Sequence, residues 1–210
     1  MNEIHIGRLL RASTRMCVAG CPAGQALPAF GSLVSIPLIN GLTAYGLVMD
    51  IHIDDDGLVR QLAVSNSVPA EVIEDNRMNR NVPVELTILF IGHTQGEKIL
   101  HLLPPQPPLS LDNIYSCGDE EIRKFTASGR LGYFRHILSA EDTPSADLLA
   151  AHLLQAGSAH LGGGNDTWLR SAVQEIITLL RDDHAVLSAV LGAIADAFPD
   201  FAPIDQGGSR

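Results

Sequence analysis

The chain has 210 residues, enough to bury a substantial core as one large domain or two small ones. Its 46% hydrophobic and 18% charged residues are a globular balance, which excludes an intrinsically disordered chain. A net charge of −10 repels a polyphosphate backbone, and Arg8, Arg11, Arg15, Arg77, Arg80, Arg123, Lys124 and Arg130 form no run, so direct nucleic-acid binding is not expected.

The opening Met1-Asn2-Glu3-Ile4-His5 has neither the positive flank nor the apolar stretch of a secretory signal. No apolar run is long enough to span a bilayer; the richest, Ala185 to Phe198, is short and carries Asp196. Three cysteines, Cys17, Cys21 and Cys117, do not make a disulfide framework for this length. The expectation is a reduced, cytoplasmic protein with no membrane insertion.

The first half reads in steps of two. In Val34-Ser35-Ile36-Pro37-Leu38 apolar residues alternate with Ser and Pro, and the proline, which donates no ladder bond, places this strand at an edge or near its end. From Tyr45 to Ile53, residues 45, 47, 49, 51 and 53 share one face, with Gly46 a natural bulge or kink. Asp54-Asp55-Asp56-Gly57 reads as a hairpin turn that returns the chain as a strand over Leu58 to Val64. Glu85 to Ile91 is a further strand, and a short one around Ile114 to Cys117 follows the prolines at 104, 105, 107 and 108.

After Asp119 the period becomes helical. Thr143 as N-cap and Pro144 at the first helical position start a helix carrying Leu148, Leu149, His152 and Leu153, with Gly157 as its stop. Leu169, Ala172, Val173, Ile176, Ile177 and Leu180 form the strongest apolar stripe. A second stripe uses Val186, Leu187, Val190, Leu191, Ile194 and Phe198, with Asp182-Asp183 capping it. The expected fold is α+β: a small closed six-stranded β-barrel over 1–118, a helical domain over 119–198, and a flexible tail over 199–210.

The barrel half resembles the HAS barrel, a small six-stranded barrel of HerA-type DNA translocases and rotary ATP synthase subunits. The resemblance rests on Ile6-Gly7-Arg8-Leu9-Leu10, Phe30-Gly31-Ser32-Leu33-Val34-Ser35-Ile36, Tyr45-Gly46-Leu47-Val48-Met49-Asp50-Ile51, Glu85 to Gly92, and the proline-marked exit Leu103-Pro104-Pro105-Gln106-Pro107-Pro108. The whole chain is similar to stand-alone HAS-barrel proteins of unknown function in cyanobacteria and related photosynthetic lineages. In those translocases and synthases the barrel precedes a RecA-type ATPase, where this chain has only helices. Gly92-His93-Thr94-Gln95-Gly96-Glu97-Lys98 is not a phosphate loop: its glycines are too close, Glu97 separates Gly from Lys, and Ile99 stands where a hydroxyl is needed. It reads as a hairpin. Gly162-Gly163-Gly164 reads as a linker that lets Asn165 or Asp166 cap the next helix.

The remaining candidates reduce to structural roles. Cys17 and Cys21 form one C-x-x-x-C pair without a second, so no metal is expected and buried strand cysteines are. The aspartate run lacks the alternating ligands of a Ca²⁺ loop, and His152 has no nucleophile paired with it. Gly157-Ser158-Ala159-His160 reads as a helix-end loop rather than a nucleophile elbow. No catalytic residue and no cofactor is assigned. The expected function is a non-catalytic interaction or assembly module that self-associates or docks onto another protein, which the resemblance makes a ring ATPase. The alternatives are a regulatory subunit of a rotary synthase or translocase, and a ligand binder or enzyme with a site between barrel and helices. The candidate interface is Leu169, Val173, Ile176, Leu180, Val190 and Ile194, which serve equally well as core.

Overall fold

The computed structural model describes residues 4–23, 25–54, 57–78, 82–141 and 143–199. Among these residues seven strands form one sheet: β1 Ile4–Ala12, β2 Met16–Cys21, β3 Leu33–Pro37, β4 Thr43–Ile53, β5 Val84–Gln95, β6 Lys98–Leu100 and β7 Asn113–Ser116. The order is β2-β1-β7-β3-β4-β5-β6, and an additional β2–β5 pairing closes six of them into a barrel, with β6 outside the ring. Every pairing is antiparallel. The α+β class and the closed six-stranded barrel are as the period-two segments predict.

Alternation sends the two faces of the central strands to different cores. Val34, Ile36, Ala44, Val48, Leu86, Ile88, Phe90 and Ile114 fill the barrel interior. Leu33, Tyr45, Leu47, Met49, Leu89 and Ile91 point outward into a second core shared with the helices. Both faces of β3, β4 and β5 are therefore buried, which is why these strands are apolar nearly throughout. Closing so small a ring needs sharp bends. Register breaks fall between Tyr45 and Gly46 and between Val48 and Asp50. A Cβ at Gly46 would lie 2.4 Å from Ile88 Cγ2 and 2.8 Å from the Leu89 carbonyl oxygen. Gly46→Val is therefore expected to cost about 2–3 kcal/mol or more through overpacking, read as a lowered urea midpoint, with an outward-facing substitution such as Asp50→Asn near neutral.

The hairpin expected at Gly92 to Lys98 is present: Gln95 pairs with Lys98 around a two-residue turn, Gly96 supplying the positive φ of 62°. The strand expected over Leu58 to Val64 is absent. That segment is instead α1, Gly57–Ala63, followed by α2, Ala70–Met78. Leu58/Leu62 and Val59/Ala63 are four apart with Arg60-Gln61 between them, a helical spacing that outweighs the hairpin reading of the aspartate run. Asp55 and Asp56, from the expected turn, lie outside the described residues.

Five helices follow β7: α3 Asp119–Ala127, α4 Phe134–Leu138, α5 Ser145–Gly162, α6 Trp168–Leu179 and α7 His184–Ala197. The passage from strand to helix falls at Gly118, the N-cap of α3. α5 is the central helix, touching α3, α4, α6 and α7. It begins one residue later than the capping pattern predicts: Pro144 is the N-cap, and the Thr143 hydroxyl donates to the Glu141 carbonyl instead. It also runs through Gly157 to Gly162, so 157–160 is helix, not a loop. A Cβ at Gly157 would make only ordinary contact with Leu169, 3.8 Å away, so the glycine neither ends the helix nor is needed for its packing. Asp183 caps α7 as expected, while the N-cap of α6 is Thr167 and Asn165 stands two residues ahead of it. Asn165 Oδ1 accepts from the backbone amides of Thr167 and Trp168, and Asp183 Oδ1 accepts from the Val186 amide. No helix among the described residues is long and apolar enough to cross a membrane. Of the tail expected over 199–210, all but Pro199 lies outside the described residues.

Candidate functional site

The polar groups that the fold buries gather where the helices meet the outer face of β3–β5. His93 leaves the end of β5, His101 follows β6, Phe125 and Thr126 come from α3, Tyr133 precedes α4, and His152 and His160 lie two turns apart on α5. Ring centroids of Tyr133 stand 4.9 Å from His101, 5.3 Å from Phe125, 4.7 Å from Phe134 and 5.4 Å from His152. Tyr133 is thus the hub of an aromatic cluster and is fully buried.

The partners decide the tautomers. His152 Nδ1 is 3.3 Å from the Gly31 carbonyl oxygen, which can only accept, so that nitrogen carries the proton. Nε2 is then a lone pair and accepts the Tyr133 hydroxyl at 3.0 Å. His152 is therefore a neutral imidazole satisfied on both sides. Burial pushes its acid form down to about 4, the bond to the Gly31 carbonyl opposing the shift. The Tyr133 phenol is raised above its ordinary value by burial. Gly31 holds this position at φ 82°, where a Cβ would sit 2.6 Å from Ala151 Cβ.

His93, His101 and His136 satisfy backbone in the same way. His93 Nδ1 donates to the Leu102 carbonyl at 3.0 Å. His101 Nε2 donates to Phe125 O at 3.2 Å, and its own carbonyl accepts from the Arg135 guanidinium and from His136 Nε2. The segment after β6, which has no strand neighbour on that side, is held by these side chains. Burial lowers the His101 acid form; the Phe125 carbonyl opposes this and the charges of Arg135 and His136 add to it. His136 is lowered too, by burial first, then by Arg135. His160 Nε2 donates to Thr126 Oγ1 at 2.8 Å, the hydroxyl itself donating to Ile122 O, while its ring stacks on Trp168 at 4.4 Å. Burial, and Arg123 after it, lower its acid form.

Chemically this arrangement is a set of fasteners. Leu33 N–H also donates to Gln155 Oε1 at 3.0 Å, so α5 holds the start of β3 at two points. Surface clefts among the described residues lie elsewhere, three of them between α1 and α2, along α5 and α6 beside Phe198, and between the β1–β2 turn and Glu141. None of the three is lined by a histidine.

Of the candidate interface residues, Ile176, Leu180, Val190 and Ile194 are buried in the core of this chain, and Leu169 and Val173 are half-buried against it. They meet as the contact of α5 with α6 and α7, their apolar faces turned to the protein's own interior. Cys17 and Cys21 face the barrel interior and Cys117 the helix core, none of the three in a disulfide. Burial raises the Cys17 thiol, and raises Cys21 to about 11.

Sequence reasoning singled out His152 but not His101, His136 or His160. The available signal was their placement inside otherwise apolar stretches such as 99–103 and 156–161. The exposed apolar character of α1 and α2 was also missed. No residue of either helix is buried, and Val64 and Met78 at their ends are 82% and 52% exposed. Comparison with known proteins returned no matching family model and no matching curated relative.

Proposed function

We propose that this protein is a non-catalytic interaction and assembly module, working in the cytoplasm as a self-associating barrel whose helical region is a permanent part of its core. One observation carries the reading: the fold spends its buried histidines on hydrogen bonds within its own chain, while the insertion between β4 and β5 leaves apolar side chains on the surface. Surface apolar side chains in contiguous helices mark association sites. The glycine-bent, closed six-stranded barrel supports the likeness to the HAS barrel, and through it a ring ATPase as the larger assembly. Light scattering on the purified chain tests self-association. The expected mass is a multiple of 22.5 kDa; a strict monomer at micromolar concentration overturns it. Co-purification from the native source that recovers no ring ATPase removes that partner from the proposal.

A further inference from the structure

We infer that acid opens this fold in order: the helical layer α3–α7 is released from the outer face of β3–β5 while the six-stranded barrel stays closed.

The two cores differ in chemistry. The side chains that fill the barrel interior, from Ile6 and Leu9 to Ile114, are apolar or, at Cys17 and Cys21, thiols, and none takes up a proton in mild acid. The histidines lie in the other layer. His101 packs on Phe125 and Tyr133, His152 on Tyr133 and His160 on Trp168, all members of the core that sheet and helices share. His136 joins them at the His101 carbonyl. Among the described residues, His93 is the one buried histidine carried by a barrel strand, and it sits at the end of β5 with its ring on the Leu102 carbonyl. The ladders that close the barrel run from strand to strand, so none of them needs a helix. Gly118, with open space where a side chain would be, joins β7 to α3.

The ties between the layers are the groups that acid attacks. A second proton on His152 takes from the buried Tyr133 hydroxyl the nitrogen it donates to, and sets a cation among apolar rings. The charges acting on these histidines are cationic: Arg135 and His136 on His101, Arg135 on His136, and Arg123 on His160. Lys124, Arg170 and His184 of the same layer are exposed. Among the described residues, Asp119, Glu120 and Glu121 of α3, Asp147 of α5, Glu175 of α6 and Asp196 of α7 form no ion pair with any of the four. No carboxylate is therefore at hand to hold an imidazolium in place. Protons enter when the layer opens, so a falling pH favours the open layer and leaves the barrel interior unaffected.

The chain carries its own reporters. Trp168, its sole tryptophan, and Cys117 lie in the helical core, whereas Cys17 and Cys21 lie inside the barrel. The full-length protein is taken from neutral pH to about pH 3.5 and pulsed with 4,4′-dithiodipyridine, a disulfide that thiols attack even in mild acid, and the labelled cysteines are mapped by mass spectrometry. Each rate is divided by that of the urea-unfolded chain at the same pH. As the pH falls from 5 to about 4, Cys117 is expected to lose at least about tenfold of its protection while Cys17 and Cys21 keep theirs. The Trp168 emission maximum moves to longer wavelength over the same interval. The double variant Y133F/H152L is expected to release Cys117 at lower pH than the wild type. Loss of protection at all three cysteines together shows one cooperative unit and overturns the ordering, as does full protection of Cys117 throughout. An unmoved release in a folded Y133F/H152L overturns the role given to His152, and the order of labelling in the wild type tests the layers without that variant.

Discussion

Replacing Tyr133 by alanine is expected to lower the free energy of unfolding by about 3–5 kcal/mol, the range for losing a fully buried aromatic. The side chain is enclosed by His101, Phe125, Phe134 and His152, rings drawn from β6's exit and three helices, so no single element can move in to fill the space. Domains of this size hold about 5–15 kcal/mol in total, so the variant is left near the threshold of folding. Tyr133→Phe separates volume from hydrogen bonding. It keeps the ring but leaves His152 Nε2 as a buried acceptor without its donor, which costs about 1–3 kcal/mol. Urea unfolding of both variants checks the ordering. Equal losses in the two would show that the hydroxyl, and not the packing, carries the effect.

The same cluster shows what the amino-acid pattern can and cannot disclose. Strands β3, β4, β5 and β7 were legible because alternation, Gly46 and Pro37 are local signals, and the cap at Asp183 is local too. The α1 segment was misread, since the aspartate run suggests a hairpin turn while the spacing of Leu58/Leu62 and Val59/Ala63 is that of a helix. Gly157 misled for a different reason. A glycine within an apolar stripe is a common helix end, but α5 continues through it to Gly162. Periodicity also showed that Leu169, Val173, Ile176, Leu180, Val190 and Ile194 must be covered, but a stripe does not state whether the cover is its own chain. α5, apolar around most of its circumference, supplies that cover. The histidine fasteners needed three dimensions outright. His152 and Gly31 are 121 residues apart, and the tautomer follows from which atom each ring nitrogen meets. The exposed insertion was hidden by the same hairpin reading that concealed α1.

That tautomer makes stability fall with acid before any ordinary carboxylate titrates. In the unfolded chain His152 takes up a proton near pH 6.5; in the folded protein burial delays this to about 4. Between those values the unfolded state binds more protons, so unfolding is favoured as pH falls. Above pH 6.5 both states are neutral and the term vanishes; below about 4 both are charged and the loss is complete. The window spans about 2.5 pH units, which at 1.36 kcal/mol each amounts to roughly 3 kcal/mol from this one ring. His101, His136 and His160, lowered in the same direction, add to it with the same sign. Urea titrations at pH 7.5, 6 and 5 are expected to show a steady fall in midpoint with unchanged slope. The double variant Y133F/H152L replaces both hydrogen-bond partners by apolar groups of similar shape, and its midpoint is expected to fall less steeply by the equivalent of one proton. Parallel curves for wild type and double variant would place the acid sensitivity in the other histidines, and would mean that His152 is not the buried neutral base its two hydrogen bonds require.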